Sequence, residues 1–333
     1  MNQTAEHEKE TNFPGTGRPV YAFDQEVEAS LTALLALRPP SNRPERGDWK
    51  RLRELGNANM DYWASLLPAY PEVQTKTFYK SVNDGAQIEL RWYSKNGNSP
   101  GSAIVYAHGG GMVLGDLDKY NGIVSEYVNE TGVPFLSVAY RLAPQAQGPS
   151  LANDIFSGLE WLVEHAEELG VNPERIAVMG DSAGGGIAAG AAIMARDHQV
   201  NVARQILIYP MLDDRNLQPD KHLLPFLTWT YDDNFTGWSA LLGDQLGTKN
   251  VAPEACPSRL TNFAGLAPAY IEVGEQDIFR DEDISYGQEL ARAGIPTELH
   301  ALPGAPHGFD RFAPASQLTL RAMADRLRVI KSI

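Results

Sequence analysis

Two hydrophobic patterns take turns along this chain. Residues 75–82 and 86–93 alternate apolar and polar positions on either side of Asn83-Asp84-Gly85, a hairpin signature. Residues 102–108 and 134–138 are continuous apolar runs, as strands buried on both faces should be, and 175–179, 205–209, 269–273 and 297–302 read as further strands. Between them, 121–131, 151–169, 284–293 and 318–333 carry apolar residues at helical spacing. Strands that alternate with helices predict an α/β fold. Its central sheet is mostly parallel and covered on both faces, and the leading hairpin forms an antiparallel edge.

Two regions fall outside this rhythm. Before the first strand, 24–37 places Val27, Leu31, Leu34 and Leu35 on one helical face, and Pro39-Pro40 stops it. A second helix over 48–67 carries Trp49, Leu52, Leu55, Met60 and Trp63 and is closed by Pro68 and Pro71. Such helices either form a lid or cover a sheet edge. Residues 211–245 interrupt the alternation with Phe226, Trp229, Tyr231, Phe235 and Trp238, more aromatic surface than a plain loop needs. Residues 1–19 read as a polar arm. No internal repeat or separating linker is present.

Composition narrows the partners. A formal charge of −14 argues against nucleic acid and against an anionic membrane surface. One cysteine, Cys256, excludes an internal disulfide, and its Ala255 and Pro257 neighbours give no nucleophile context. The first ten residues lack the apolar core of a signal peptide, so a cytoplasmic location is expected.

The chemistry centres on Gly180-Asp181-Ser182-Ala183-Gly184, between an apolar strand and a run of small residues. G-x-S-x-G across a strand-to-helix turn is the nucleophile-elbow pattern, though alone it also fits an ordinary glycine-rich turn. Upstream, His108-Gly109-Gly110-Gly111 follows a strand, where bare glycines let N–H groups face a carbonyl oxygen. Gly109, Gly110 and Ala183 are the expected oxyanion donors. A phosphate-cradling loop is disfavoured, since neither G-x-x-x-x-G-K-[ST] nor G-x-G-x-x-G with a downstream acid occurs. Among the seven histidines, only His307 joins a strand-end loop to a neighbouring glycine. Its orienting acid is expected in Gly274-Glu275-Gln276-Asp277, as Asp277 with Glu275 as the alternative. Ser182, Asp277, His307 is the α/β-hydrolase order of nucleophile, acid and base.

With these motifs in place, the chain resembles the hormone-sensitive lipase family of carboxylesterases. The resemblance rests on His108-Gly109-Gly110-Gly111, Tyr140-Arg141-Leu142-Ala143-Pro144, Gly180-Asp181-Ser182-Ala183-Gly184-Gly185, Asp277-Ile278-Phe279-Arg280-Asp281-Glu282 and His307-Gly308-Phe309. It implies the triad and oxyanion donors already named, an α/β-hydrolase domain over 71–333, and a helical cap built from 1–70 and the inserted segment 211–245. Two departures touch the pocket or its supports. Met112 stands where an aromatic usually follows the glycines, and Gln145 stands where an acid usually follows Ala143-Pro144. Met112, Phe226, Trp229, Tyr231 and Trp238 are the expected pocket residues. A ligand-binding relative with a decayed site should have lost a triad member, and none is lost. A trypsin-like peptidase would be disulfide-rich and all-β, with base and acid before the serine. The expected activity is serine-dependent hydrolysis of short- to medium-chain carboxylic esters through an acyl-enzyme. No cofactor, metal, nucleic acid or membrane is expected, and a homodimer is the assembly to test.

Overall fold

At Asn83-Asp84-Gly85 the chain turns β1 (Val73–Ser81) back on β2 (Gln87–Lys95), setting Phe78 opposite Leu90. The computed structural model describes residues 21–37, 43–96 and 100–333; the polar arm over 1–19 and the helix stop at Pro39-Pro40 lie outside the described residues. Strand β2 pairs antiparallel with β4 (Phe135–Val138). From there β3 (Ala103–Ala107), β5 (Ile176–Asp181), β6 (Gln205–Ile208), β7 (Ala269–Gly274) and β8 (Thr297–Leu302) all run parallel. The eight-stranded order is β1-β2-β4-β3-β5-β6-β7-β8. Every residue of β3 to β7 is buried, which accounts for their unbroken apolar runs.

Helices α1 (Gln25–Leu37) and α2 (Trp49–Leu66) precede the sheet. Helices α3 (Leu117–Thr131), α4 (Ser150–Glu164), α5 (Ala183–Asp197), α6 (Tyr231–Leu242), α7 (Arg280–Arg292), α8 (Phe309–Phe312) and α9 (Gln317–Lys331) follow in order. Two helices start a turn before their apolar spacing. Asp116 caps α3 by accepting from the N–H groups of Asp118 and Lys119, and α7 opens on Asp281, Glu282 and Asp283. Helix α4 ends at Glu164 rather than 169.

The N-terminal segment is tied to loops at the carboxyl edge of the sheet. The Asp24 N–H donates to Gly304 O at 2.9 Å, and Gln276 Nε2 donates to Ala22 O at 3.2 Å. Phe23 meets Phe226 edge-on, and Trp63 of α2 meets Phe312. The N-terminal region also grips α6. Gly47 N–H donates to Thr236 Oγ1 at 2.8 Å, and Arg46 lies over the Phe235 ring with its guanidinium 3.0 Å from Asp232. Of the apolar face expected on α1, only Val27 is buried, and Leu35 is exposed.

Candidate active site

Parallel strands deliver their following loops to one edge of a sheet, where such folds place their ligands. Here the loops after β3, β5, β7 and β8 carry the glycine run, Ser182, Asp277 and His307. Strand β5 lies between β3 and β6, so the serine emerges near the middle of that edge.

Ser182 is held at φ 57° and ψ −125°, a region L-residues rarely occupy and one that costs on the order of 1–3 kcal/mol. Backbone bonds impose it. Ser182 N–H donates to Ile208 O at 2.8 Å, and Ser182 O accepts from Met211 N–H at 2.9 Å and Gly186 N–H at 3.2 Å. The turn is tight enough to demand glycine. A Cβ on Gly184 would lie 2.1 Å from Ala107 O, and one on Gly180 would lie 2.2 Å from Gly184 O.

Ser182 Oγ lies 2.8 Å from His307 Nε2, and His307 Nδ1 lies 2.6 Å from Asp277 Oδ2. Asp277 is buried, and its other oxygen accepts the Phe279 N–H at 3.0 Å. An Nδ1–H donated to that carboxylate leaves Nε2 as the acceptor facing the serine hydroxyl. Glu275 makes no such contact; its carboxylate accepts from Gln276. The imidazole stands among the rings of Tyr209 at 4.9 Å, Phe279 at 5.0 Å and Trp229 at 6.5 Å, and its backbone carbonyl accepts from Thr228 Oγ1 at 2.6 Å. Thr228 and Tyr209 carried no signal in the sequence that set them apart from their neighbours.

The N–H groups of Gly109, Gly110 and Ala183 donate to no acceptor among the described residues. His108 fixes the loop. Its Nδ1 lies 2.8 Å from Gly109 O, its ring stacks on Tyr140 at 4.4 Å, and Tyr140 donates to His108 O at 2.7 Å. Burial holds the His108 imidazole below its ordinary range, so it stays neutral there. Arg141, next in that motif, grips the buried Asp154 through Nη2 at 2.7 Å and Nε at 2.9 Å.

The expected pocket residues divide. Trp229 reaches the centre: a Cβ on Gly111 would lie 2.4 Å from its Cη2. Met112 is buried, with φ 67°. Phe226 is partly buried against Phe23, the Tyr231 hydroxyl accepts the Asp220 N–H at 3.1 Å, and Trp238 is fully buried in the core.

Beneath the base loop lies a buried charge network that sequence spacing does not disclose. Arg326 of α9 lies 2.5 Å from Glu272 and 2.7 Å from Asp310, and Tyr209 donates to Asp310 at 2.8 Å. Burial pushes the Asp310 carboxyl up, but Arg326 and Arg311 outweigh it and bring it down to about 2. A second network holds Asp181, which accepts from Tyr106 and from Tyr120 at 3.0 Å and lies 3.4 Å from Arg311. Among the described residues, two side-chain groups have metal-ligand chemistry, Asp213 with Asp214 and Cys256, and Glu298 with His300 and Asp325. A guanidinium already fills each, Arg259 at 2.7 Å from Asp214 and Arg328 at 3.0 Å from Asp325. Burial pushes the Cys256 thiol well up, and it donates to Leu212 O at 3.1 Å.

A family model described as alpha/beta hydrolase fold matches residues 104–311. The chain is 32% identical over 244 residues to an ethyl acetate hydrolase of Pseudomonas putida, covering 69% of this chain and 74% of that protein. It is 37% identical over 235 residues to the esterase LipI of Mycobacterium tuberculosis, covering 68% and 72%. Among solved structures, a bacterial heroin esterase superposes with a TM-score of 0.83 at 32% identity, covering 93% of this chain and 98% of that one. Among the described residues, no helix is long and apolar enough to cross a membrane.

Proposed function

This chain belongs to the alpha/beta hydrolase fold family, among its hormone-sensitive-lipase-type carboxylesterases, and from that premise we propose that Ser182, His307 and Asp277 carry out its hydrolysis of carboxylic esters. The carrying observation is the unbroken hydrogen-bonded chain from Asp277 through His307 to Ser182, at 2.6 and 2.8 Å.

Ser182 Oγ attacks the ester carbonyl while His307 Nε2 takes its proton. The carbonyl π electrons move to oxygen, which the N–H groups of Gly109, Gly110 and Ala183 receive. Each such donor contributes about 3 kcal/mol. The C–O bond to the alcohol then breaks, the alcohol leaves with the proton from His307, and an acyl-Ser182 ester remains. Water attacks this ester by the same path, giving up a proton to His307. The carboxylic acid departs and Ser182 recovers its proton.

The substrate range follows from the cover. The proposed cap of 1–70 and 211–245 is supported, within the described residues, by two contacts between the segments: Gly47 meets Thr236 and Phe23 meets Phe226. Ser182 is only 7% exposed, and Trp229 lies against both Gly111 and the base. A site this enclosed favours short- to medium-chain esters. The relative named for ethyl acetate supports the short end of that range. A cytoplasmic location accords with a lone, buried thiol and the absence of any spanning helix among the described residues. A homodimer is the proposed assembly. Strand β8 is an edge with Leu299 exposed on it, and sedimentation would show whether two copies associate.

A fluorophosphonate should add once, at Ser182, and Ser182→Ala should abolish both labelling and turnover of p-nitrophenyl esters. A label elsewhere, or turnover surviving in Ser182→Ala, would sink the assignment. The acyl range is read from acetyl to palmitoyl; a best rate on palmitate would overturn the enclosed-site reading.

A further inference from the structure

The glycine loop needs something to hold it, because its N–H groups must converge without being consumed by internal bonds. Its exit is closed by the N–H groups of Val113 and Leu114, donating to Gly110 O at 3.1 and 3.0 Å. One face of α2, residues 53, 56 and 57, lies against that exit. Asn57 Oδ1 accepts the Gly115 N–H at 2.9 Å. Gly56 permits the approach, since a Cβ there would lie 2.4 Å from Leu114 Cδ2. Arg53 Nε donates to Val113 O, and Arg53 Nη2 donates to Ala143 O at 2.7 Å and to Gln145 Oε1 at 2.9 Å. The guanidinium is braced by the Trp49 ring at 4.7 Å. It pairs with no carboxylate among the described residues, because position 145 carries an amide.

We propose that Arg53 is a positioning residue for ester hydrolysis: it bridges the Val113 and Ala143 carbonyls and thereby fixes the direction of the Gly109 and Gly110 N–H groups. This rests on those groups receiving the oxyanion, as set out above. Two carbonyls from separate loops need a donor with two fixed, divergent N–H groups. Guanidinium supplies this, and a point-charge ammonium does not. The bridge also connects to Met112, whose carbonyl accepts the Ala143 N–H at 2.9 Å, so the exit of the glycine turn is tied to one side chain twice, directly at Val113 and through Ala143 at Met112. Arg53 touches neither the serine nor the base in this geometry, so it acts through the loop alone.

The test uses a matched ester and thionoester on the full-length protein. Sulfur accepts hydrogen bonds poorly, so an oxyanion hole is read as a rate preference for the oxygen ester. Arg53→Met should lower kcat by about 10- to 100-fold, short of the 10²–10³ lost with a donor itself, with KM changed less than about threefold. The oxygen-over-sulfur preference should fall by about tenfold. Arg53→Lys should recover part of both losses, and it carries the test should the methionine variant fold poorly. A parent enzyme with no oxygen preference would overturn the oxyanion-hole reading itself. A parent that shows the preference, with Arg53 variants that keep it, would overturn the role of Arg53 alone.

Discussion

Asp283 is the sharpest test of how this protein tolerates buried charge. It is fully buried in the first turn of α7, and neither carboxylate oxygen has a hydrogen-bond partner among the described residues. Burial, with the charges of Glu282 and Asp277 nearby, holds its carboxyl well above the usual range. The positive end of α7 opposes this by only about 0.3–1 kcal/mol, less than the roughly 1–3 kcal/mol cost of an unpaired buried polar group. The native state therefore keeps a proton that the unfolded chain releases near pH 4. With more protons bound when folded, stability falls as pH rises, by about 1.4 kcal/mol per pH unit until the folded carboxyl ionises. Asp283→Asn preserves the shape and removes the titration. Against wild type, it should gain about 1.4 kcal/mol, or about 2 °C in Tm, for each pH unit above the unfolded value over which the folded carboxyl keeps its proton. Differential scanning fluorimetry across pH 4.5–8 reads it directly. Parallel Tm curves for the two proteins would refute the reasoning, because they would mean that Asp283 titrates alike in both states.

Arg326→Met should destabilise by about 3–5 kcal/mol, since it strands Glu272 without its cation and leaves Asp310 only the charge of Arg311; a urea midpoint giving less than about 1 kcal/mol would contradict the network. Trp229→Ala should raise kcat/KM for octanoyl over acetyl esters by about tenfold, by clearing the space against Gly111; an unchanged acyl profile would remove Trp229 from the pocket. Deleting residues 1–40 should lower kcat/KM as well as Tm, because Ala22 and Asp24 brace the loops that carry Asp277 and His307. Full activity in the truncated protein would make that segment a bystander.

The alternating fold was legible because β3 to β7 are buried on both faces, and burial leaves an unbroken apolar run. That Ser182, Asp277 and His307 come together could be expected because each sits beside a glycine or in a strand-end turn. Helix starts were less so. At Asp116 and at Arg280 the first turn is built from polar caps, which carry no apolar period. Helix α1 reads as amphipathic, yet its contacts lie mainly at its N-terminal end, where Val27 is buried. The supports of the site were invisible for a different reason. Arg53 lies among Lys50, Arg51 and Glu54 and looks like part of a solvated face. Arg326 sits 54 residues from Glu272, and no local pattern marks two charges that meet only after the sheet has formed.

The Arg326 network also sets a timetable for the molecule. Glycine loop, nucleophile, acid and base have all been synthesised by residue 308, but α9 comes later, from Gln317 to Lys331. Until that helix docks, Glu272 and Asp310 lack the guanidinium that neutralises them, and the loop bearing His307 has no settled floor. A nascent chain therefore holds every proposed reacting group before it holds the ion pairs that lie beneath them.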